Sequence, residues 1–267
     1  MYFVGVDLAW GERNPSGIAV LDARGRLKRV GSARDDAAVV AAIGPYVQGD
    51  CLVAIDAPLV VTNRSGPRPA EIALNRDFRR FEAGAHPTNT ARPEFAAGPR
   101  GGRLAAALDL DIDPRSSARR RAIEVYPHPA AVALFRLEHT LKYKAKTGRS
   151  FEQLKSELLR LMDEIERLAT AAVPLRVTED WDVLRRQAET ARRKSDLRRV
   201  EDPVDAVLCA YVALYAQRRP ASVSTYGDLA SGYIVTPALP PDLVAPAKLP
   251  RRVTHAPFPG RRVPARR

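Results

Sequence analysis

Five carboxylates stand out because each lies at the end or opening of an otherwise apolar segment. Asp7 is the only charge in the run from Tyr2 to Ala9. In an extended chain its side carries Phe3, Gly5 and Ala9, while Tyr2, Val4, Val6 and Leu8 face the other way. Asp56 closes CLVAID, and Pro58 follows shortly. Glu124 lies in RRRAIEVYP, and Asp202 and Asp205 precede the apolar stretch of VEDPVDAVLCAYVALY. A carboxylate in such surroundings needs hydrogen-bond donors, a cation or a metal, because burying it bare is expensive. Taken singly, these acids read as turn or cap residues. Asp202 has N-cap chemistry, Pro203 suits the first helical position and Asp205 falls at the third, a capping-box place. Taken together they read differently. Carboxylates drawn to one place repel, so a cluster needs a cation. With oxygen ligands alone the cation expected is Mg²⁺ or Mn²⁺. Two such ions about 4 Å apart suit in-line displacement at phosphate, one activating water and the other steadying the leaving oxygen.

The elements that must position these acids follow from periodicity. Residues 2–9, 17–22 and 26–32 read as three closely spaced strands, an antiparallel meander with a turn at Asp22–Gly25. Helical spacing over 35–47 and a short apolar strand at 51–55 make a right-handed crossover, which sets 51–55 parallel to an earlier strand. Residues 62–120 are rich in Gly, Pro and Arg, with eleven Arg against seven acids. They read as a basic, mostly irregular insertion with helical pieces near 69–83 and 103–108. A strand at 121–126 follows, then helices near 128–137, 151–171 and 180–197. Residues 203–217 read as a helix apolar all round, hence central and buried. A last short strand is expected at 232–237. In open α/β sheets, sites form beyond the carboxyl ends of strands, so acids ending neighbouring parallel strands should sit close together.

Composition bounds the partners. The chain has 267 residues and a formal charge of +12, with 36 Arg and 7 Lys. Such a balance points to a polyanionic partner. The excess is uneven, because the last 31 residues hold eight prolines, seven basic residues and one acid. The expected organisation is one domain over 1–236, with the insertion at 62–120, and a Pro-rich basic tail over 237–267. Cys51 and Cys209 lie in apolar stretches and make neither a disulfide framework nor a zinc cluster, so a reducing, cytoplasmic compartment is expected. No apolar run approaches the ~18 residues of a membrane span, and the N-terminal ten residues lack the basic flank of a signal peptide.

In order, VGVDLAW, IDAPL, EVYPHPA, the YKAKTGR stretch and EDPVDAVLCAY resemble domain-of-unknown-function family 429, a group of predicted RNase H-like nucleases. The likeness runs from about residue 2 to 237. It implies an α/β RNase H-like fold, a mixed five-stranded sheet of order 3-2-1-4-5 flanked by helices. It also implies Asp7, Asp56 and Asp205 as metal-binding acids, Asp202 as a second helix acid, and Glu124 as part of the family's own EVYP pattern. GPRPAE places Arg68 and Glu71 in a pattern resembling the family's Arg-x-x-Glu element, which also reads as a salt bridge one turn apart. Lys144 and Lys146 read as phosphate contacts or as a solvated loop. His86 and His128 lack metal-ligand spacing; His128 reads as a satisfied structural residue that could face the site. Trp10 reads as a core residue or a base-stacking platform.

The function expected from these residues is metal-dependent phosphodiester hydrolysis of nucleic acid, DNA or RNA. Two other readings stand beside it. One is a nucleic-acid-binding module of the same fold without turnover. The other is an actin-like ATPase or kinase relative, which DLAWGERNPSG serves poorly as a phosphate hairpin.

Overall fold

The computed structural model describes residues 1–9 and 14–246. Strands β1 (Tyr2–Asp7), β2 (Ser16–Asp22) and β3 (Leu27–Ala33) form the expected antiparallel meander. At its second turn the Asp22 carboxylate accepts from the N–H groups of Arg24 at 2.8 Å and Arg26 at 3.0 Å, and Gly25 supplies a φ of +75°. Helix α1 (Asp36–Val47) starts at Asp35, whose side chain accepts from the Ala38 N–H at 2.8 Å. It leads to β4 (Cys51–Ile55), which lies parallel to β1. Strand β5 (Arg120–Glu124) adds parallel to β4. The result is an α/β architecture with a mixed five-stranded sheet of order β3-β2-β1-β4-β5, flanked by helices.

Between β4 and β5 the chain forms α2 (Pro69–Phe78), a 3₁₀ turn at Arg79–Phe81, α3 (Pro93–Ala96) and α4 (Arg100–Ala107). After β5 come α5 (Pro127–Phe135), a loop over 136–150, α6 (Phe151–Arg167), α7 (Glu179–Thr190) and α8 (Lys194–Arg218). Strands β6 (Val223–Asp228) and β7 (Gly232–Pro237) make a separate antiparallel pair. The strand expected at 232–237 is therefore outside the main sheet, and its partner β6 was not anticipated. Both cysteines are buried and free. No helix among the described residues is long and apolar enough to cross a membrane.

Helix α8 differs most from the sequence expectation, and it builds the site. A helix over 180–197 and a second one opening at Asp202 were expected. Instead α7 stops at Thr190, and one 25-residue helix runs from Lys194 to Arg218. Its start is set by Asp196, whose carboxylate accepts from the N–H groups of Arg193 at 3.0 Å and Arg192 at 3.2 Å. Asp202 and Asp205 therefore lie inside the helix, and the cap reading of both is corrected. Pro203 is tolerated there at the cost of one backbone hydrogen bond.

Every residue from Pro203 to Leu214 is buried, with α8 packed on β1, β2 and β4. Two glycines set how close it lies. A Cβ on Gly5 would fall 1.9 Å from the Ala206 carbonyl oxygen, and one on Gly17 would fall 1.9 Å from that of Asp202. Only residues without side chains let the helix backbone rest directly on these strands.

Candidate functional site

Register brings the first two acids together. Val6 pairs with Ile55, and the Asp56 N–H donates to the Val6 carbonyl at 2.8 Å, so Asp7 and Asp56 are neighbours at the carboxyl edge of the sheet. Asp7 shares the strand face of Gly5, the face on which α8 lies. The helix thereby lowers Asp202 and Asp205 onto Asp7.

The convergence has a single cation at its centre. The Lys144 ammonium lies 2.6 Å from Asp205 Oδ2, 2.9 Å from Asp202 Oδ1 and 3.2 Å from Asp7 Oδ2. The Tyr143 hydroxyl donates to the other Asp205 oxygen at 2.6 Å. The loop carrying both residues is tied at several points. The Thr140 N–H donates to the Phe81 carbonyl at 2.8 Å and the Lys142 N–H to Glu157 at 2.9 Å. Arg149 donates to the Lys144 carbonyl at 2.7 Å, and Lys194 of α8 donates to the Arg149 carbonyl at 2.6 Å. The solvated-loop reading of Lys144 is thus corrected, because its ammonium is engaged by three carboxylates.

Electrostatics follow from this crowding. Burial pushes the Asp7 carboxyl up to about 8, and Asp205 and Asp202 push the same way against Lys144. Asp56 is raised well above the usual carboxylate range by burial and then by Asp7 and Asp205. Burial alone would lower the Lys144 ammonium, but Asp205, Asp7, Tyr143 and Asp202 raise it well above its ordinary value. His128 is held down to about 3 by burial and by Lys144, Lys146, Lys142 and Arg149. It faces the site as a neutral ring, sharing a hydrogen bond with the Thr140 hydroxyl at 3.2 Å and packing 5.6 Å from the Tyr143 ring.

Glu124, Arg68 and Glu71 assemble apart from this cluster. Glu124 pairs with Ile55, so the pleat turns its side chain away from the face of Asp7 and Asp56. The Arg68 guanidinium donates to Glu124 at 2.5 and 3.0 Å, to Glu71 at 2.9 Å and to the Val60 carbonyl at 2.9 Å. Glu124 also accepts from the Leu59 N–H at 2.9 Å, and Glu71 from Thr88 at 2.5 and 3.1 Å. The salt-bridge reading of Arg68 and Glu71 therefore holds, inside a larger buried network. Asp56 borders both groups. With Arg68, Glu71, Glu124 and Tyr126 it lines a cavity of about 120 Å³.

Sequence reasoning missed Glu201 and Tyr143. Glu201 directly precedes Asp202 and is only 3% exposed. Burial pushes its carboxyl up to about 7. Its signal is the VEDPVDAV segment itself, masked because Asp202–Pro203 has the chemistry of a helix start one residue later. On the solvent side Asp7 and Asp202 open into a cleft of about 550 Å³ whose wall includes Ser195, Arg198 and Arg199. Trp10 lies outside the described residues, as does the tail beyond 246.

The order of these elements and motifs matches a known family. A family model described as protein of unknown function (DUF429) covers residues 5–229. The chain belongs to that family. The match takes in Asp7, Asp56, Glu124, Lys144 and the α8 acids, so both polar clusters lie within the family's span. No curated protein and no solved structure matches the chain.

Proposed function

We propose that this chain is an RNase H-like, metal-dependent phosphodiesterase acting on nucleic acid. The observation that carries the reading is the meeting of Asp7, Asp202 and Asp205 around one cation, with Asp56 beside them. The sheet order and the late helix bearing acids agree with an RNase H-like plan. On that plan residues 62–120 are an insertion between the fourth and fifth strands.

A divalent ion is part of this reading. Among the described residues no group of three or more His, Cys, Asp or Glu side chains is placed, as it stands, to hold a metal ion. The donor chemistry nevertheless fits. The carboxylates are oxygen-only, partly or fully withdrawn from water, and already gathered around a positive charge, which suits Mg²⁺ or Mn²⁺. Asp7, Asp202 and Asp205 would hold the ion, with Asp56 alongside. When bound, it would supply charge neutralisation at phosphate and an activated water. The remaining work falls to the chain. Tyr143 fixes the orientation of Asp205 through its hydroxyl. Arg198 and Arg199, on the cleft wall beside Asp7 and Asp202, would orient a phosphodiester over the acids. His128, held neutral, adds no positive charge of its own to the site.

Cleavage of branched, single-stranded and hybrid substrates with Mg²⁺ or Mn²⁺ tests the proposal. The wild type is expected to cut at least one of them, and Asp7→Asn to lose that activity by about 10²-fold or more. Equal activity in the variant would sink the assignment. One observation favours a second reading, a binding module without turnover. Lys144 already neutralises the acids, and a site permanently closed by its own lysine needs no metal.

A further inference from the structure

The carboxylates that would hold a metal ion are the ones that hold Lys144, and next to them a fourth carboxylate has one buried oxygen without a hydrogen-bond partner. Glu201 is buried on α8, adjacent to Asp202 and one turn before Asp205. Its Oε1 makes no hydrogen bond. Leaving a buried acceptor unmet costs about 1–3 kcal/mol, and more when it is charged. The largest attractive charge acting on Glu201 is nevertheless Lys144. The ammonium thus fills one berth and makes no bond to Glu201, an acid that feels its charge.

A divalent ion and an ammonium cannot share Asp7, Asp202 and Asp205 without strong repulsion at contact distance. If an ion enters, the ammonium must leave. The backbone at residue 144 is anchored through Arg149, and that of residue 142 through Glu157, so the move falls to the lysine's four-carbon stem and not to the loop. Glu201 offers the displaced charge a buried counter-ion and gains the donor that it lacks.

We propose that Lys144 is a resident counter-ion with two berths, Asp7–Asp202–Asp205 in the metal-free protein and Glu201 once a divalent ion is bound. The inference rests on the metal-site reading above. It adds that cation entry is an exchange and that Lys144 and Glu201 together set its affinity. Lys144 weakens binding by competing for the carboxylates. Glu201 strengthens binding by receiving the competitor.

Mn²⁺ binding to the full chain, followed by the spin-resonance signal of the free ion, tests the exchange without relying on activity. Lys144→Gln is expected to bind Mn²⁺ about tenfold tighter than wild type, and Glu201→Gln severalfold weaker. In the Lys144→Gln background, Glu201→Gln should have no further weakening effect, because no ammonium needs housing. Equal Mn²⁺ affinity in wild type and Lys144→Gln overturns the exchange and leaves the metal site standing. No Mn²⁺ binding by any of these proteins overturns both. Lys144→Gln leaves three carboxylates uncompensated and can fail to fold, so a second measurement uses the wild type alone. Acylation of the Lys144 amine, quantified by peptide mass against exposed Lys28, should fall severalfold when Mn²⁺ is saturating, because the amine passes from a partly exposed position to buried Glu201. A bound ion with unchanged Lys144 reactivity overturns the proposal.

Discussion

Two partly buried side chains give the stability of the metal-free protein opposite dependences on pH. His128 titrates near 3 in the folded chain and near its ordinary 6.5 when unfolded. A base with a lowered folded value contributes stability that is present above 6.5 and lost as pH falls toward 3. Asp7 titrates near 8 when folded and near 3.8 when unfolded. An acid with a raised folded value contributes stability that is present below 3.8 and lost as pH rises toward 8. Between about 4 and 6.5 the two slopes oppose each other. Above 6.5 the histidine has finished titrating, and Asp7 acts in the same direction as Glu201, which is raised to about 7. Stability in denaturant should therefore fall from pH 6.5 to pH 8, by up to roughly 1.4 kcal/mol per pH unit for each proton taken up on folding. Asp7→Asn should flatten that decline, and His128→Asn should flatten the loss below pH 6. A wild-type midpoint that is level or rising from pH 6.5 to 8 would show that Asp7 is not protonated in this range. The same crowding explains what could be read from sequence here. A lone acid in an apolar strand announces a buried charge, as Asp7 and Asp56 do. The identity of its partner depends on a loop more than 80 residues away, and nothing local to LKYKAKTGR distinguishes a lysine aimed inward from one in water.

At the scale of elements, the site depends on how closely α8 approaches the sheet. Gly5→Ala or Gly17→Ala would put a methyl group within 1.9 Å of a helix carbonyl, so the helix must retreat. Each is expected to cost about 1–3 kcal/mol or more by denaturant unfolding and to draw Asp202 and Asp205 away from Asp7. Gly44 in α1 is the control, because nothing lies within 4 Å of its added Cβ. Gly44→Ala should be neutral or add about 0.5–1 kcal/mol, as expected for a helix interior. A loss at Gly44 matching that at Gly17 would point to general fragility of the fold in place of a specific helix–strand contact. Most of the sheet is legible because β1, β2 and β4 are short apolar runs bounded by the Asp22–Gly25 turn, Gly49–Asp50 and Pro58. The parallel placement of β4 followed from the crossover through α1. Helix α8 was misread because Asp202–Pro203 has the chemistry of a helix start, while the real start, with Asp196 at the third position, lies in a charged and unremarkable segment. Strand β6 is hidden in the sequence because VSTYGD is half exposed and has no buried residue, with no apolar alternation to reveal it, and is held by pairing with β7.

Across the whole molecule, the positive charge is arranged differently from its distribution along the chain. The basic stretch 62–120 spends much of its arginine on itself and its neighbours. Arg68 and Arg100 are buried in ion pairs, and Arg92, Arg115, Arg119 and Arg120 pair with nearby acids. The basic residues around the acids come instead from the loop over 136–150 and the opening of α8. Lys142, Lys146 and Arg149 act on His128, and Arg198 and Arg199 line the cleft beside Asp7. Residues 247–267 add seven basic residues and no acid. If phosphate binding is local to the cleft, two exposed arginines there should matter more than two elsewhere. Arg198→Glu with Arg199→Glu is therefore expected to lower nucleic-acid affinity by about tenfold or more at low salt. The slope of log affinity against log salt should also shrink by about 2, close to one unit per lost phosphate contact. Arg79→Glu with Arg80→Glu makes the same change of charge on an exposed turn of the 62–120 segment and should leave the slope within about half a unit of wild type. Truncation after Pro246 separates the two sources, because it removes the terminal charge and spares both the cleft and the Arg136–Asp242 pair. A tail that only gathers substrate should, when removed, flatten the salt slope while saturated turnover stays the same. Loss of turnover at saturating substrate would instead place part of the 247–267 segment at the acids themselves.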